Sequence, residues 1–320
     1  MGLLVIAGYG AFRIKDGTLE LSTLIAFIIY SFQLMSPMSS ISGFIGEYHK
    51  ANGAFKSLNK IINKDEERKS NHFMNDFRLN SNLSFNNVTL EFNGKKILDD
   101  ISFTVYKGRS LTIIGPSGSG KTTLLNILEK FYNVTSGNIT IDGVDINQIN
   151  THSLRKNIGL VSQDIPIISG TIKDNLLYGL CEETITNDKI HKCLDFSILN
   201  KLVTNRIDNI NSYVGESGNI LSGGEKQRIN LARLFLKNPS IILLDEATSN
   251  LDNESKSAIL KSILELTRNK TTLKITHNVQ ELHETEEILF IENGKILFKG
   301  LHGELLNNNE RYKKIIKVLS

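Results

Sequence analysis

Residues 1–62 and 83–320 of the chain differ in how their apolar and polar side chains are distributed. Leu21 to Gly46 contains no charged side chain. As a helix it would span roughly 39 Å, which exceeds the ~30 Å hydrocarbon core of a bilayer. Met1 to Phe12 is also apolar, but as a helix it would reach only about 18 Å. From Leu83 onward, short apolar runs alternate with helical stretches, which predicts a different kind of structure.

We interpret Leu21 to Gly46 as a membrane span, with Pro37 as a point where it would kink. A buried core helix is the alternative, since Gln33 and several Ser residues interrupt the segment. Met1 to Phe12 would be the second half of a preceding span whose first half is missing. More basic residues follow the predicted span than precede it: Lys50, Lys56, Lys60 and Lys64 against Arg13 and Lys15. The positive-inside bias therefore places the C-terminal side in the cytoplasm of the cell.

The pattern in residues 83–320 predicts a mainly parallel α/β sheet with helices on both faces. The polar residues 63–82 are interpreted as a linker between the two parts. A helix is expected over Lys121–Phe131. The expected strands are Val88–Phe92, Ile101–Val105, Leu111–Ile114, Ile241–Leu244, Leu273–Ile275 and Ile288–Ile291.

Composition and charge exclude several classes of protein. The 37 basic and 34 acidic side chains give a net charge of only +3, which does not indicate a nucleic-acid-binding protein. Two cysteines, Cys181 and Cys193, cannot form a disulfide framework. A hydrophobic content of 40% indicates a packed core and argues against disorder.

A phosphate-binding loop is the first motif that carries chemistry. An apolar strand enters it and a helix leaves it, as the motif requires. Its glycines let backbone N–H groups surround the phosphates at a helix N-terminus. Lys121 would reach the β- and γ-phosphates, and the Thr122 hydroxyl would bind Mg²⁺. The loop reads Gly115-Pro116-Ser117-Gly118-Ser119-Gly120-Lys121-Thr122.

The apolar run Ile241 to Leu244 ends in Asp245 and Glu246. At the end of a buried strand, Asp245 is placed to hold the Mg²⁺ shell directly or through water. Glu246 would polarise the attacking water as a general base, a role typically worth 10²–10⁴-fold in rate. An acidic strand end is common on its own, so its significance comes from the phosphate-binding loop that precedes it.

The motif Leu221-Ser222-Gly223-Gly224-Glu225-Lys226-Gln227-Arg228 resembles the signature sequence of ATP-binding cassette (ABC) ATPases. Ser222 and the two glycines would open a helix whose hydroxyl, free N–H groups and positive dipole end favour an anion. In the family, this end caps the γ-phosphate bound on a second, facing ATPase domain. The resemblance therefore implies a head-to-tail dimer with two shared ATP sites.

The resemblance also implies roles for further residues. Gln163 matches the glutamine loop, which senses Mg²⁺ and the membrane domain, and His277 matches the switch histidine at the γ-phosphate. Ser249 to Asp252 resembles the loop that links two active sites. Phe92 stands where the family places an aromatic residue on adenine, although a strand Phe is a core residue by default. The expected Mg²⁺ ligands are Thr122, Gln163 and Asp245. The expected nucleotide-binding residues are Gly115 to Thr122 together with Phe92, Thr123, Ser222, Gly223, Gly224, Asp245 and Asp252.

For the fold, the resemblance implies a P-loop NTPase domain at 83–320 with an antiparallel β-subdomain and a helical signature subdomain. Residues 1–62 resemble the end of the membrane domain of ABC exporters, so the expected function is ATP hydrolysis coupled to export at the cell membrane. The partner would be a second half-transporter, identical or different. The alternatives are a truncated ATP-binding remnant that does not transport, or a soluble ABC ATPase acting on ribosomes or DNA. Neither soluble class accounts for Leu21 to Gly46.

Overall fold

The computed structural model describes residues 2–63, 77–162, 164–180, 185–247, 253–279 and 282–319. The chain divides into two compact units, Met1–Arg68 and Lys69–Ser320. The division falls within the predicted linker, residues 63–82.

The first unit consists of two helices, α1 (Gly2–Lys15) and α2 (Leu21–Ile62). The helices come into contact at Gly10, where an added Cβ would lie 2.3 Å from Cδ1 of Leu24. Glycine at this position therefore allows the close approach of α1 to α2. The second helix continues through Pro37 and extends well beyond the predicted end at Gly46.

Large apolar side chains in this unit point to solvent. Within the described part of the chain, however, no helix has a stretch long and apolar enough to cross a membrane. The predicted span at Leu21 to Gly46 is therefore not confirmed. The exposed side chains include Leu4, Tyr9, Phe12, Phe27, Leu34 and Phe44.

The second unit contains a four-stranded antiparallel sheet, which confirms the predicted β-subdomain. Its strands are β1 (Asn82–Phe92), β2 (Lys95–Tyr106), β4 (Ser136–Ile141) and β5 (Val144–Asp145), in the order β2-β1-β4-β5. Asn93 and Gly94 connect β1 to β2, and both have positive φ. A two-residue turn of this kind matches the twist of a β-hairpin.

A six-stranded sheet forms the centre of the second unit, and all strands but one run parallel. It is built from β3 (Ser110–Ile114), β6 (Ile158–Val161), β7 (Ile241–Asp245), β8 (Thr271–Ile275), β9 (Glu287–Glu292) and β10 (Lys295–Leu301). The order is β10-β9-β3-β8-β7-β6, with β10 antiparallel at one edge. Each predicted strand lies within an observed one.

The helix after β3, α3 (Lys121–Leu128), ends three residues before the predicted end at Phe131. Lys130 adopts a left-handed conformation with φ 58°. Its N–H donates to the Ile127 carbonyl, and the N–H of Phe131 donates to the Asn126 carbonyl. These two bonds form a Schellman motif, which ends the helix even without glycine.

Helices surround the larger sheet and also form a subdomain of their own. The subdomain core includes Ile172, Leu176, Cys193, Leu194, Ile229 and Ala232. Arg233 ties its helices together, because its guanidinium donates to the carbonyls of Asn175 and Pro166 at 2.5 and 2.7 Å. The helices are α4 (Thr151–Asn157), α5 (Ile172–Leu177), α6 (Asn187–Phe196), α7 (Asn200–Thr204), α8 (Gly223–Lys237), α9 (Asn253–Thr267), α10 (His302–Asn308) and α11 (Glu310–Leu319).

The folded second unit begins before the predicted boundary at Leu83. Phe77 and Leu79 are buried in its core. The carboxylate of Asp142 accepts hydrogen bonds from the backbone N–H groups of residues 80, 81 and 82 at 2.7–3.0 Å. Residues 77–82 therefore belong to the folded unit, and residues 64–76 of the predicted linker lie outside the described residues.

The last two helices meet at a buried polar contact. His302 Nδ1 lies 2.8 Å from the Tyr312 hydroxyl, and both residues are buried. Burial lowers the pKa of His302, while the charges of Glu286 and Glu284 act in the opposite direction. Burial raises the pKa of Tyr312 to about 12. The folded state therefore favours the neutral imidazole.

A folded-state pKa below 6.5 means that the unfolded chain binds more protons at mildly acidic pH. The stability that comes from neutral His302 is thus present above pH 6.5 and is lost as the pH falls. His302→Asn keeps a polar group near the Tyr312 hydroxyl but cannot be protonated in this range. We expect its melting temperature to fall less than that of the wild type between pH 7.5 and 5.5, by about 2–4 °C. Thermal unfolding of the full chain, followed by near-ultraviolet circular dichroism, measures this. Equal pH dependence in both chains would contradict it.

Candidate active site

The phosphate-binding loop lies against two strands so closely that two of its three glycines, Gly115 and Gly120, leave no room for a side chain. A Cβ on Gly115 would lie 2.0 Å from the Ile291 carbonyl oxygen in β9. Gly120 has φ 99°, and a Cβ there would lie 2.7 Å from Cδ2 of Leu98 in β2. The loop thus packs its backbone directly on the sheets, which fixes its path between β3 and α3.

Lys121, the first residue of α3, is only 5% exposed. Its ammonium group donates to the carbonyl oxygens of Gly115 and Pro116 at 2.9 and 2.8 Å. Burial lowers the pKa of Lys121, while the charges of Glu246 and Asp245 act in the opposite direction. A buried cation at a helix N-terminus suits a polyanion such as a triphosphate.

Two of the predicted Mg²⁺ ligands lie together. Asp245 ends β7, and the Thr122 side chain lies near its carboxylate. Burial raises the pKa of Asp245 and the charge of Glu246 adds to this effect, while Thr122, Lys121 and His277 act in the opposite direction. Over the described residues, no three His, Cys, Asp or Glu side chains form a metal cluster. Magnesium is usually held by one or two carboxylates plus substrate phosphates, so the Thr122–Asp245 pair fits that mode.

The side chains of Glu246 and His277 lie within ion-pair distance of each other, just beyond the ends of β7 and β8. His277 Nε2 lies 2.7 Å from Oε1 of Glu246. The pair follows from strand order, because β7 and β8 are parallel neighbours and Asp245 lies opposite Ile275. Glu246 itself has φ 49°, and its N–H donates to the Ile275 carbonyl at 3.2 Å. A left-handed residue at this point turns the chain sharply away from the strand.

The predicted signature helix is α8, and Ser222 is its N-cap. The Ser222 hydroxyl accepts a hydrogen bond from the N–H of Glu225 at 3.3 Å, and the Glu225 carboxylate accepts one from the N–H of Ser222 at 2.7 Å. This capping box fixes the helix start. Ser222 and Gly223 are exposed, so the hydroxyl is accessible from outside the unit.

Phe92 is 42% exposed at the end of β1, so it is not a core residue. Its ring meets that of Tyr132 edge to face, with 5.1 Å between the centroids and 75° between the planes. Whether Phe92 stacks on adenine stays a prediction.

Three contacts in this region were not predicted from the sequence. They are the aromatic partner Tyr132, the cap by Glu225, and the bond from Gln227 Nε2 to the Ala247 carbonyl at 2.7 Å. The spacing of Ser222 and Glu225 is a capping-box signal that could have been found. The other two depend on tertiary contacts. Gln163 and the loop Ser249 to Asp252 lie outside the described residues.

The chain is similar to known proteins in both sequence and structure. A sequence profile of the family described as "ABC transporter" matches residues 98–249. The multidrug resistance ABC transporter ATP-binding and permease protein of Lactococcus lactis subsp. lactis (strain IL1403) is 38% identical over 319 residues, which cover 98% of this chain and 54% of that protein. The β-(1→2)glucan export ATP-binding/permease protein NdvA of Bartonella quintana (strain Toulouse) is 34% identical over 313 residues, 96% of this chain and 52% of that protein.

Among solved structures, a bacterial Atm1-family ABC exporter with ATP bound is similar, with a TM-score of 0.75 and 28% identity. The match covers 99% of this chain and 56% of the exporter chain. This chain spans about half the length of the curated relatives it matches. The second unit is thus an ATP-binding cassette ATPase. Residues 98–249 thus form an ABC transporter domain, and the Lactococcus relative aligned over nearly all of the chain is an ABC transporter ATP-binding and permease protein.

Glu246→Gln separates binding from chemistry in this ATPase. The amide keeps the size of the side chain but cannot accept a proton as a carboxylate does. We expect ATP hydrolysis to fall by roughly 10²–10⁴-fold, the usual contribution of a general base. ATP affinity should be retained, because Lys121 and the loop backbone are unchanged.

Phosphate release and isothermal titration calorimetry on the full chain measure the two quantities. Glu265→Gln, at an exposed glutamate of α9, is the matched control and should leave both unchanged. Near-normal hydrolysis in Glu246→Gln would show that another group acts as the base.

Proposed function

We propose that this chain binds ATP with Mg²⁺ and hydrolyses it to drive export across a membrane. The observation that carries the proposal is the convergence of Lys121, Thr122, Asp245, Glu246 and His277 at the carboxyl ends of β3, β7 and β8. Ligands of parallel α/β sheets bind at this edge.

Each side chain has a distinct task in the proposed reaction. Lys121 holds the β- and γ-phosphates, and the loop N–H groups surround them. Thr122 and Asp245 hold Mg²⁺, with Gln163 as a further ligand, and the metal neutralises charge on the phosphate oxygens when it is bound. Glu246 takes the proton from the attacking water. His277 orients the Glu246 carboxylate through their 2.7 Å contact. His277 would also contact the γ-phosphate.

The proposed site is completed by a second ATPase domain, from an identical chain or a different half-transporter. The exposed N-terminus of α8 supports this, because Ser222 and Gly223 are available to a facing phosphate. The Ser222 oxygen already accepts the N–H of Glu225, so its O–H is the donor left for that phosphate. Asp252 would link the two sites.

We further propose that the first unit lies in the cell membrane and the ATPase on its cytoplasmic face. Two observations support membrane association: the matched relatives are ATP-binding and permease proteins aligned over nearly all of this chain, and the first unit exposes large apolar side chains. Pairing with a second half-transporter would supply further apolar helices for these side chains to pack against.

Alkaline carbonate extraction of membranes from expressing cells tests the membrane proposal. We expect the full chain to stay in the pellet, because the apolar faces of α1 and α2 would be embedded in lipid. A chain lacking residues 1–68 is the matched control and should move to the supernatant. Release of the full chain by carbonate would favour a peripheral ATPase or an ATP-binding remnant.

A further inference from the structure

The Phe92–Tyr132 pair is held in place by the backbone of the ATPase. Tyr132 lies just beyond the end of α3, the helix that the phosphate-binding loop opens. The segment after it is fixed to β1, because the N–H of Thr135 donates to the Thr89 carbonyl at 2.8 Å and the Thr135 hydroxyl accepts the N–H of Glu91 at 3.0 Å. These bonds set the Tyr132 ring beside Phe92, the last residue of the same strand.

The pair is connected to the phosphate-binding loop in two ways, through α3 and through the contact of the loop with β2. Helix α3 has eight residues and is about 12 Å long, with Lys121 at its start and Tyr132 just beyond its end. Next to Lys121, Gly120 is packed on Leu98 of β2, which lies opposite Leu90 in β1, two residues before Phe92. A nucleoside triphosphate held at Lys121 can therefore extend its base toward the aromatic pair.

Both rings are available for a ligand, since Phe92 is 42% exposed and Tyr132 is 40% exposed. An edge-to-face contact occupies at most one face of the Phe92 ring, so the other face is left for a planar base. Aromatic rings in such a contact prefer a defined mutual angle, which restricts the rotation of each. Tyr132 is thus placed to hold the Phe92 ring rather than to fill the core.

We propose that Tyr132 is a positioning residue that orients Phe92 for stacking on the nucleobase, so that the two rings form one base platform. This inference rests on the proposed ATP site and adds a residue to it. Since every base has a π-face, the platform would favour nucleoside triphosphates over bare polyphosphate without strong selection among bases.

The test uses the full chain with Glu246→Gln, which prevents turnover during titration, and two probes: MgATP and magnesium tripolyphosphate. Tyr132→Ala should weaken ATP binding about 3–10-fold, the range of an aromatic pair, and leave tripolyphosphate affinity within about twofold. Tyr132→Phe keeps the ring and should restore ATP affinity. Equal losses for both probes would mean a merely structural role and overturn the proposal.

A double-mutant comparison supplies a second measurement, which does not depend on tripolyphosphate. If Tyr132 acts through Phe92, then Phe92→Ala with Tyr132→Ala should bind ATP no more weakly than Phe92→Ala alone. Additive losses, or unchanged ATP affinity in Phe92→Ala, would contradict the platform. Lys121→Ala should abolish binding of both probes. If it does not, the ATP site itself has been misassigned, which is a different failure from that of Tyr132.

Discussion

The ammonium group of Lys121 is buried at the point where the phosphate-binding loop turns into α3. Burying a charge costs several kcal/mol unless partners offset it. Here the carbonyls of Gly115 and Pro116 accept its hydrogen bonds, and the carboxylates of Asp245 and Glu246 act on it electrostatically. The loop thus supplies hydrogen-bond acceptors for its own lysine. A triphosphate would supply stronger, charge-assisted partners at the same place.

The remaining parts of the site depend on strand order. Because β7 and β8 are parallel neighbours, the residues just beyond them lie side by side, and Glu246 meets His277. The Gln227 bond to the Ala247 carbonyl ties α8 to the chain segment that follows Glu246. The predicted signature helix is therefore tied to the segment that follows the proposed general base within one ATPase domain.

Much of the fold and site could be predicted because local sequence determines them. The phosphate-binding loop requires glycines at fixed spacing, and the apolar run before Asp245 identifies a buried strand. Features set by tertiary contacts were not predicted. The left-handed Lys130 ended α3 early without a glycine signal, and Phe77 joined the core from within a polar segment. The contact between Tyr132 and Phe92 could not be predicted, because it depends on the packing of the segment after α3 against β1.

The first unit was predicted in part. The uncharged stretch from Leu21 did predict a helix, and α2 begins at that residue. Over the residues that the structure describes, the predicted membrane span was not confirmed.

In the proposed dimer, each ATP site combines the phosphate-binding loop of one chain with the signature helix of another. Mixing two inactive full-length variants tests this arrangement. Glu246→Gln disables the base, and Ser222→Arg blocks the signature helix. A mixed dimer would contain one site with both defects and one with neither. We predict that mixing restores hydrolysis, up to about a quarter of the wild-type rate if chains exchange randomly into dimers. No recovery at any mixing ratio, with dimers formed, would contradict a site shared between copies of this chain.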